Sequence, residues 1–159
     1  MNLDEFEQLA RSYPAVVVDV EERPAELHPF EVRNIHPDLP SKVRRQFDDG
    51  YFADAALTAF KFIEAEVKRL SGLRRIFGNA LMMKAFDEND PKLRLNPGET
   101  DSDRDEQFGY RYMFAGAQSG IRNPRGHEVD LPDDPDMCLD HLSIASVLLR
   151  KLDAAGLRS

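Results

Sequence analysis

The 159-residue sequence predicts an all-α fold, a bundle of four to five helices behind a short N-terminal extension. Three observations carry that prediction. The stretch "YFADAALTAFKFIEAEVKRLSG" at 51–72 sets Phe52, Ala56, Phe60, Ile63, Val67 and Leu70 at steps of three and four, the stripe of a buried helix. Near the C-terminus, Leu142, Ala145, Leu149 and Leu152 repeat the same rhythm. The β-branched run "AVVVDVE" at 15–21 finds no second run with which to pair.

Taken in order, residues 1–26 form the extension and residues 27–159 the helical domain. Leu3, Phe6, Leu9 and Ala10 give residues 2–12 the pattern of a short amphipathic helix, and 15–21 reads as extended. Four prolines between 22 and 40 remove backbone donors and favour a wrapped linker. Ser41 is the expected N-cap of "KVRRQFDD", which Gly50 stops. The long helix at 51–72 ends at Gly72, and a shorter one is expected at 76–86. Residues 87–104 form a polar loop, either a lid or a mobile connection. A helix from about Asp105 to Arg122 follows, with Asp103 or Asp105 at its start. It shows two apolar faces, one through Phe108, Tyr112, Ala115 and Ser119, the other through Tyr110, Phe114, Ala117 and Ile121. Two such faces predict a central helix, packed from both sides. An acidic loop at 128–136 leads to the last helix, 137–155, closed by Gly156.

Bulk properties narrow the function. The net charge is −8 and the pI about 5.0. A duplex-DNA coat needs a basic face, so nucleic-acid contact is expected only in a small local cleft. Cys138 is the single cysteine, which excludes an internal disulfide and a cysteine-built zinc site. A reducing compartment, no apolar run near the ~20 residues of a membrane span, and early acids in place of a signal peptide together predict a cytoplasmic protein.

Most familiar site motifs fail. Asp101, Asp103 and Asp105 alternate like calcium ligands, but the sixth and twelfth positions hold Glu106 and Tyr112 instead of glycine and glutamate. His28, His36, His127 and His141 are scattered, without paired-histidine spacing; His141 reads as a packing or surface residue. No phosphate-binding P-loop and no Gly-x-Ser-x-Gly elbow occurs. No metal and no cofactor is expected.

What remains is "GIRNPRGH" at 120–127. Pro124 disfavours helical geometry at Asn123, so Arg122 belongs at a helix end; alternatively Asn123 caps a new turn with Pro124 in its first position. Either way one turn gathers Arg122, Asn123 and His127. Arginine offers a planar fork for phosphate, histidine passes protons near neutral pH, and asparagine orients one of them or a ribose hydroxyl. These are the parts for attack of an RNA 2′-hydroxyl on its neighbouring phosphate, without a metal. The bland reading stands beside it: Arg122 compensating a helix C-terminus and His127 exposed on a loop. The same spacing recurs from Arg23 to His28.

Five segments in a fixed order add context: "DDGYFADAALTAFKFIEAEVKRLSG" at 48–72, "ALMMKAF" at 80–86, "LRLNP" at 93–97, "FAGAQSGIRNPRGHE" at 114–128 and "LDHLSIASVLLRKLD" at 139–153. Together they resemble the HEPN superfamily, and within it the prokaryotic "hypothetical Ymh" family, over about residues 27–155. The resemblance implies a helical bundle, a homodimer, and a metal-independent endoribonuclease. It places Arg122 and His127 at the motif's two named positions and Asn123 at the polar position after the arginine. It also implies a toxin–antitoxin or antiviral setting, with an antitoxin or a nucleotidyltransferase as partner and RNA as substrate. Non-catalytic members that bind nucleotide or a protein partner form the alternative. Arg125 is expected as a second phosphate contact, and Lys61 and Glu64, one turn apart on the long helix, as substrate contact and orienter, or else as a solvated pair.

Overall fold

The computed structural model describes residues 27–127 and 134–158. The expected N-terminal extension and the acidic residues 128–133 lie outside the described residues. Everything within them is helix, turn or loop: α1 (Pro29–Val32), α2 (Ser41–Asp48), α3 (Phe52–Ser71), α4 (Gly78–Ala85), α5 (Asp101–Ala117), a π turn (Gln118–Arg122), α6 (Asn123–His127) and α7 (Pro135–Ala154). The all-α bundle is as the apolar stripes predict.

The hub is α3, not the helix after residue 100. It touches α2, α4, the π turn, α6 and α7. The reason lies in its small residues. Ala55, Ala56 and Ala59 are buried without bulk, so neighbouring backbones come close on several sides, while Phe60, Ile63 and Val67 fill the spaces between. Each large side chain sealed this way contributes roughly 1.5–3 kcal/mol. The helix stops at Gly72, whose φ of 71° suits a residue with no Cβ.

On the other side, α5 packs on α4 and leaves Phe108 and Tyr112 of its first apolar face in solvent. Phe114, Ala115 and Ala117 are buried, and Phe114 stacks on Phe86 with ring centroids 4.3 Å apart. Phe108 and Tyr112 stay about half exposed, with their rings against each other instead of a neighbouring helix. The helix also begins earlier than the acids suggest. Thr100 caps it: its Oγ1 accepts from the Asp103 N–H at 3.0 Å, and the Asp103 carboxylate accepts from the Thr100 N–H at 3.2 Å.

The polar loop before α5 is fastened at its middle. Leu93 and Leu95 are buried. The buried Gln107 amide accepts from the Leu95 N–H at 2.9 Å and donates to the Phe86 and Leu93 carbonyls, each at 3.1 Å. Other boundaries shift slightly. The cap before α2 is Pro40, with Ser41 as the first helical residue, and α4 starts at Gly78 after an extended, exposed Phe77. The proline-rich linker is partly ordered by α1 and by the buried Ile35 and Leu39.

The C-terminal end is closed by a polar clamp. After the turn at Gly156, the Arg158 guanidinium donates to Asp153 at 2.8 Å, Asp38 at 3.1 Å and Glu66 at 3.2 Å. Buried His36 bonds Asp153 through Nε2 at 2.8 Å, while its Nδ1 accepts from the Asp38 N–H at 3.2 Å.

Candidate functional site

Pro124 does not break the helix. Asn123 keeps helical angles, φ −65° and ψ −46°, and its N–H reaches the Gln118 carbonyl five residues back. A proline inside an α-helix lacks an N–H and presses its ring on the carbonyl four residues earlier. That carbonyl belongs to Gly120, inside the π turn. The wider turn takes up the extra residue and relieves both conflicts, so α5, the π turn and α6 form one continuous helical path. Single π turns of this kind are concentrated at functional sites.

The turn lies against α3 and aims Gln118 and Arg122 there. Gln118 is fully buried; its amide donates to the Phe60 carbonyl at 3.3 Å, and its Oε1 has no partner. One turn on, Arg122 is about a quarter exposed. Its Nη1 donates to Asn123 Oδ1 at 3.2 Å. Its Nε lies 3.7 Å from Glu64 Oε2, beyond a hydrogen bond, and is itself buried and unbonded. Glu64 is buried on α3 and shares its other oxygen with Lys68 Nζ at 3.2 Å. The carboxylate therefore sits beneath two cations. A charge this buried is tolerable only when paired.

At the far end, α6 passes close to α3. A Cβ added to Gly126 would stand 3.7 Å from Arg122 Nη1 and 3.9 Å from Leu57 Cδ1. His127 is exposed and lies one helical turn beyond Asn123. No hydrogen bond or ion pair engages its ring among the described residues.

The expected site residues divide accordingly. Arg122, Asn123 and Glu64 come together. His127 lies on the same short helix. Lys61 is exposed on α3, one turn before Glu64, with no acid partner among the described residues. Arg125 is turned inward: its Nη1 donates to the Ile121 carbonyl at 3.0 Å, and its Nη2 meets His141 Nδ1 at 3.1 Å. That contact makes Nδ1 of His141 the acceptor and leaves the ring proton on Nε2. His141 thus braces the motif from α7 and is not a bare surface residue.

Sequence reading missed Lys68 and Gln118, while His141 takes the packing role, one of the two that the sequence allowed. Lys68 lies at i+4 from Glu64, a spacing that flags it; Gln118 carries no such signal. A concavity of about 690 Å³ is lined by α1, the start of α2 and the loop between them, away from these residues. No helix among the described residues is long and apolar enough to cross a membrane.

The family described as "Protein of unknown function (Hypoth_ymh)" matches residues 33–152, from the linker through most of α7. The chain belongs to this Ymh family. The matched span lies within the 27–155 stretch expected from the five segments, and it includes every residue of the Arg122–Glu64 cluster. Nothing matches the chain among curated proteins or among solved structures.

Proposed function

We propose that this Ymh protein is a metal-independent endoribonuclease of the HEPN type. The observation that carries the reading is the local arrangement on the π turn and α6. A partly exposed guanidinium is held from behind by a buried carboxylate and from the side by Asn123, and an unengaged imidazole follows within one turn. In this reading Arg122 takes the scissile phosphate and stabilises charge on its oxygens. His127 removes the 2′-hydroxyl proton or protonates the leaving 5′ oxygen. Asn123 orients Arg122 and the ribose. Glu64 acts through Arg122, as a positioning residue. A homodimer supplies the second acid–base group, and the exposed Phe108, Tyr112 and Met113 on α5 support a protein-contact surface. The setting is a cytoplasmic toxin–antitoxin or phage-defence system with an antitoxin or nucleotidyltransferase partner.

The test is purified protein incubated with RNA in EDTA, beside Arg122→Ala and His127→Ala. Cleavage with 2′,3′-cyclic phosphate ends is expected for the wild type and is lost in both variants. Equal cleavage by all three would trace the activity to a contaminant and sink the proposal. The acidic "EVDLPDDPD" after His127 favours one second reading, a non-catalytic module that binds nucleotide or a protein partner. There His127→Ala leaves the partner complex intact and no RNA is cut.

A further inference from the structure

Although the chain carries a net charge of −8, one stretch reverses the sign. Between residues 61 and 75, the five cations Lys61, Lys68, Arg69, Arg74 and Arg75 accompany only two acids, Glu64 and Glu66. Both acids are already committed. Glu64 lies between Lys68 and Arg122, and Glu66 binds Arg69 and Arg158. Arg74 and Arg75 are exposed and pair with no acid among the described residues. A concavity of about 360 Å³ opens here, lined by Ala65, Lys68, Arg69 and Arg74.

At its edge stands Phe77, the residue before α4, 63% exposed. Lys68 Nζ lies 3.3 Å from the centroid of its ring. An exposed aromatic with a cation on its ring, and with Arg75 and Arg74 two and three residues away in sequence, is the kind of surface on which nucleobases stack. The chain of contacts continues to the motif: Phe77 to Lys68, Lys68 to Glu64, Glu64 to Arg122. A second link ties the same edge to the π turn, where Asn79 donates to Ser119 Oγ at 3.1 Å and to the Ala115 carbonyl at 3.3 Å.

We propose that Phe77, with Lys68, Arg74 and Arg75, forms a subsite that stacks one unpaired nucleobase and holds the flanking phosphates of a single-stranded RNA beside Arg122. Phe77 supplies the ring face, and the cations supply a sequence-blind grip on the backbone. A duplex is disfavoured because its bases are already stacked and cannot reach the ring. The inference deepens the nuclease reading and rests on it for the identity of the strand as RNA. The subsite itself is separable, because stacking and phosphate contact do not need a 2′-hydroxyl.

The experiment therefore uses strands that cannot be cleaved. Binding of a fluorescent 12-nucleotide single-stranded DNA, and of the same sequence as a duplex, is measured by polarisation for wild type, Phe77→Ala, Phe77→Tyr and the double variant Arg74→Ala/Arg75→Ala. Phe77→Ala is expected to weaken single-strand binding about tenfold, and Phe77→Tyr to retain it. The double arginine variant is expected to flatten the salt dependence, with the slope of log K against log salt falling by about 1.4. Melting curves should match the wild type, because all three positions are exposed. Unchanged binding by Phe77→Ala, or duplex bound as tightly as single strand, overturns the subsite. Cleavage of RNA by the wild type serves as the separate readout. If Phe77→Ala binds normally and the wild type cuts RNA, the subsite fails and the nuclease stands. If Phe77→Ala loses binding and nothing is cut, the subsite stands and the nuclease fails.

Discussion

Two ionic clusters in this protein use the same residue types and differ in how completely they are satisfied. Around the C-terminus, Arg158 meets three carboxylates at 2.8 to 3.2 Å, and both nitrogens of His36 are bonded. Around the π turn, Arg122 lies 3.7 Å from its carboxylate, its Nε is buried without a bond, and the Gln118 Oε1 nearby in sequence is orphaned too. The first cluster gives each of the three guanidinium nitrogens of Arg158 a carboxylate partner and ties the chain end to the bundle. The second keeps some hydrogen-bonding capacity in reserve. Buried polar groups are nearly always satisfied; of the three exceptions among the described residues, two lie one helical turn apart here, and the third is Gln46 Oε1 on α2.

The contrast can be broken at either end. The largest expected effect is on chemistry. Arg122→Ala and His127→Ala should each lower RNA cleavage about 10²–10⁴-fold while leaving the thermal midpoint close to wild type. A parallel collapse of folding, seen by circular dichroism, would move the π-turn cluster into the structural class. Next, Glu64→Gln keeps the shape but removes the charge beneath Arg122. It should reduce kcat about 10²-fold with little change in KM, as expected when a catalytic cation loses its aim. A pure KM effect would show that Glu64 serves binding instead of positioning.

The clamp should respond in the opposite sense. Arg158→Ala leaves Asp38, Asp153 and Glu66 with fewer partners and should cost about 1–3 kcal/mol in denaturant unfolding, with cleavage per folded molecule unchanged. The smallest effect is one of pH. The Arg69 guanidinium, hydrogen-bonded to Glu66, holds that carboxyl below the usual range; partial burial opposes the shift and Arg158 adds to it. A carboxylate with a lowered folded value stabilises fully above its unfolded value of about 4.3, and the contribution is lost as pH falls through the lower folded value. Glu66→Gln should therefore flatten the acid limb of the stability curve below about pH 4.3 by under ~1 kcal/mol, the surface-pair scale. Equal slopes for both proteins would detach Glu66 from the clamp.

What the sequence disclosed follows from which residues report their own surroundings. The stripes of α3 and α7 were legible because helix period and burial agree residue by residue. The central place of α3 was hidden, because Ala55, Ala56 and Ala59 mark close approach only once their neighbours are known. The anchored loop was hidden for a similar reason: Gln107 looks like a solvent residue until its three backbone partners are seen. At the site, Arg122, Asn123 and Glu64 could be picked out from residue chemistry and spacing. The straight path through Pro124 could not, since proline rules describe α-turns and the chain uses a wider one here. Phe77 and Lys68 were invisible as a pair because they meet across the connection between α3 and α4.

The π turn also has a genealogical side. It amounts to one surplus amino acid lodged in an otherwise regular rod, and a regular rod advances ~100° per residue. Excising any one position between Gln118 and Arg122 would swivel the whole Asn123–His127 tip by that angle, carrying the imidazole to a different flank without altering a single functional letter. The gain or loss of one codon here would thus re-aim the tip, and the count of residues across this turn becomes as telling as their identity.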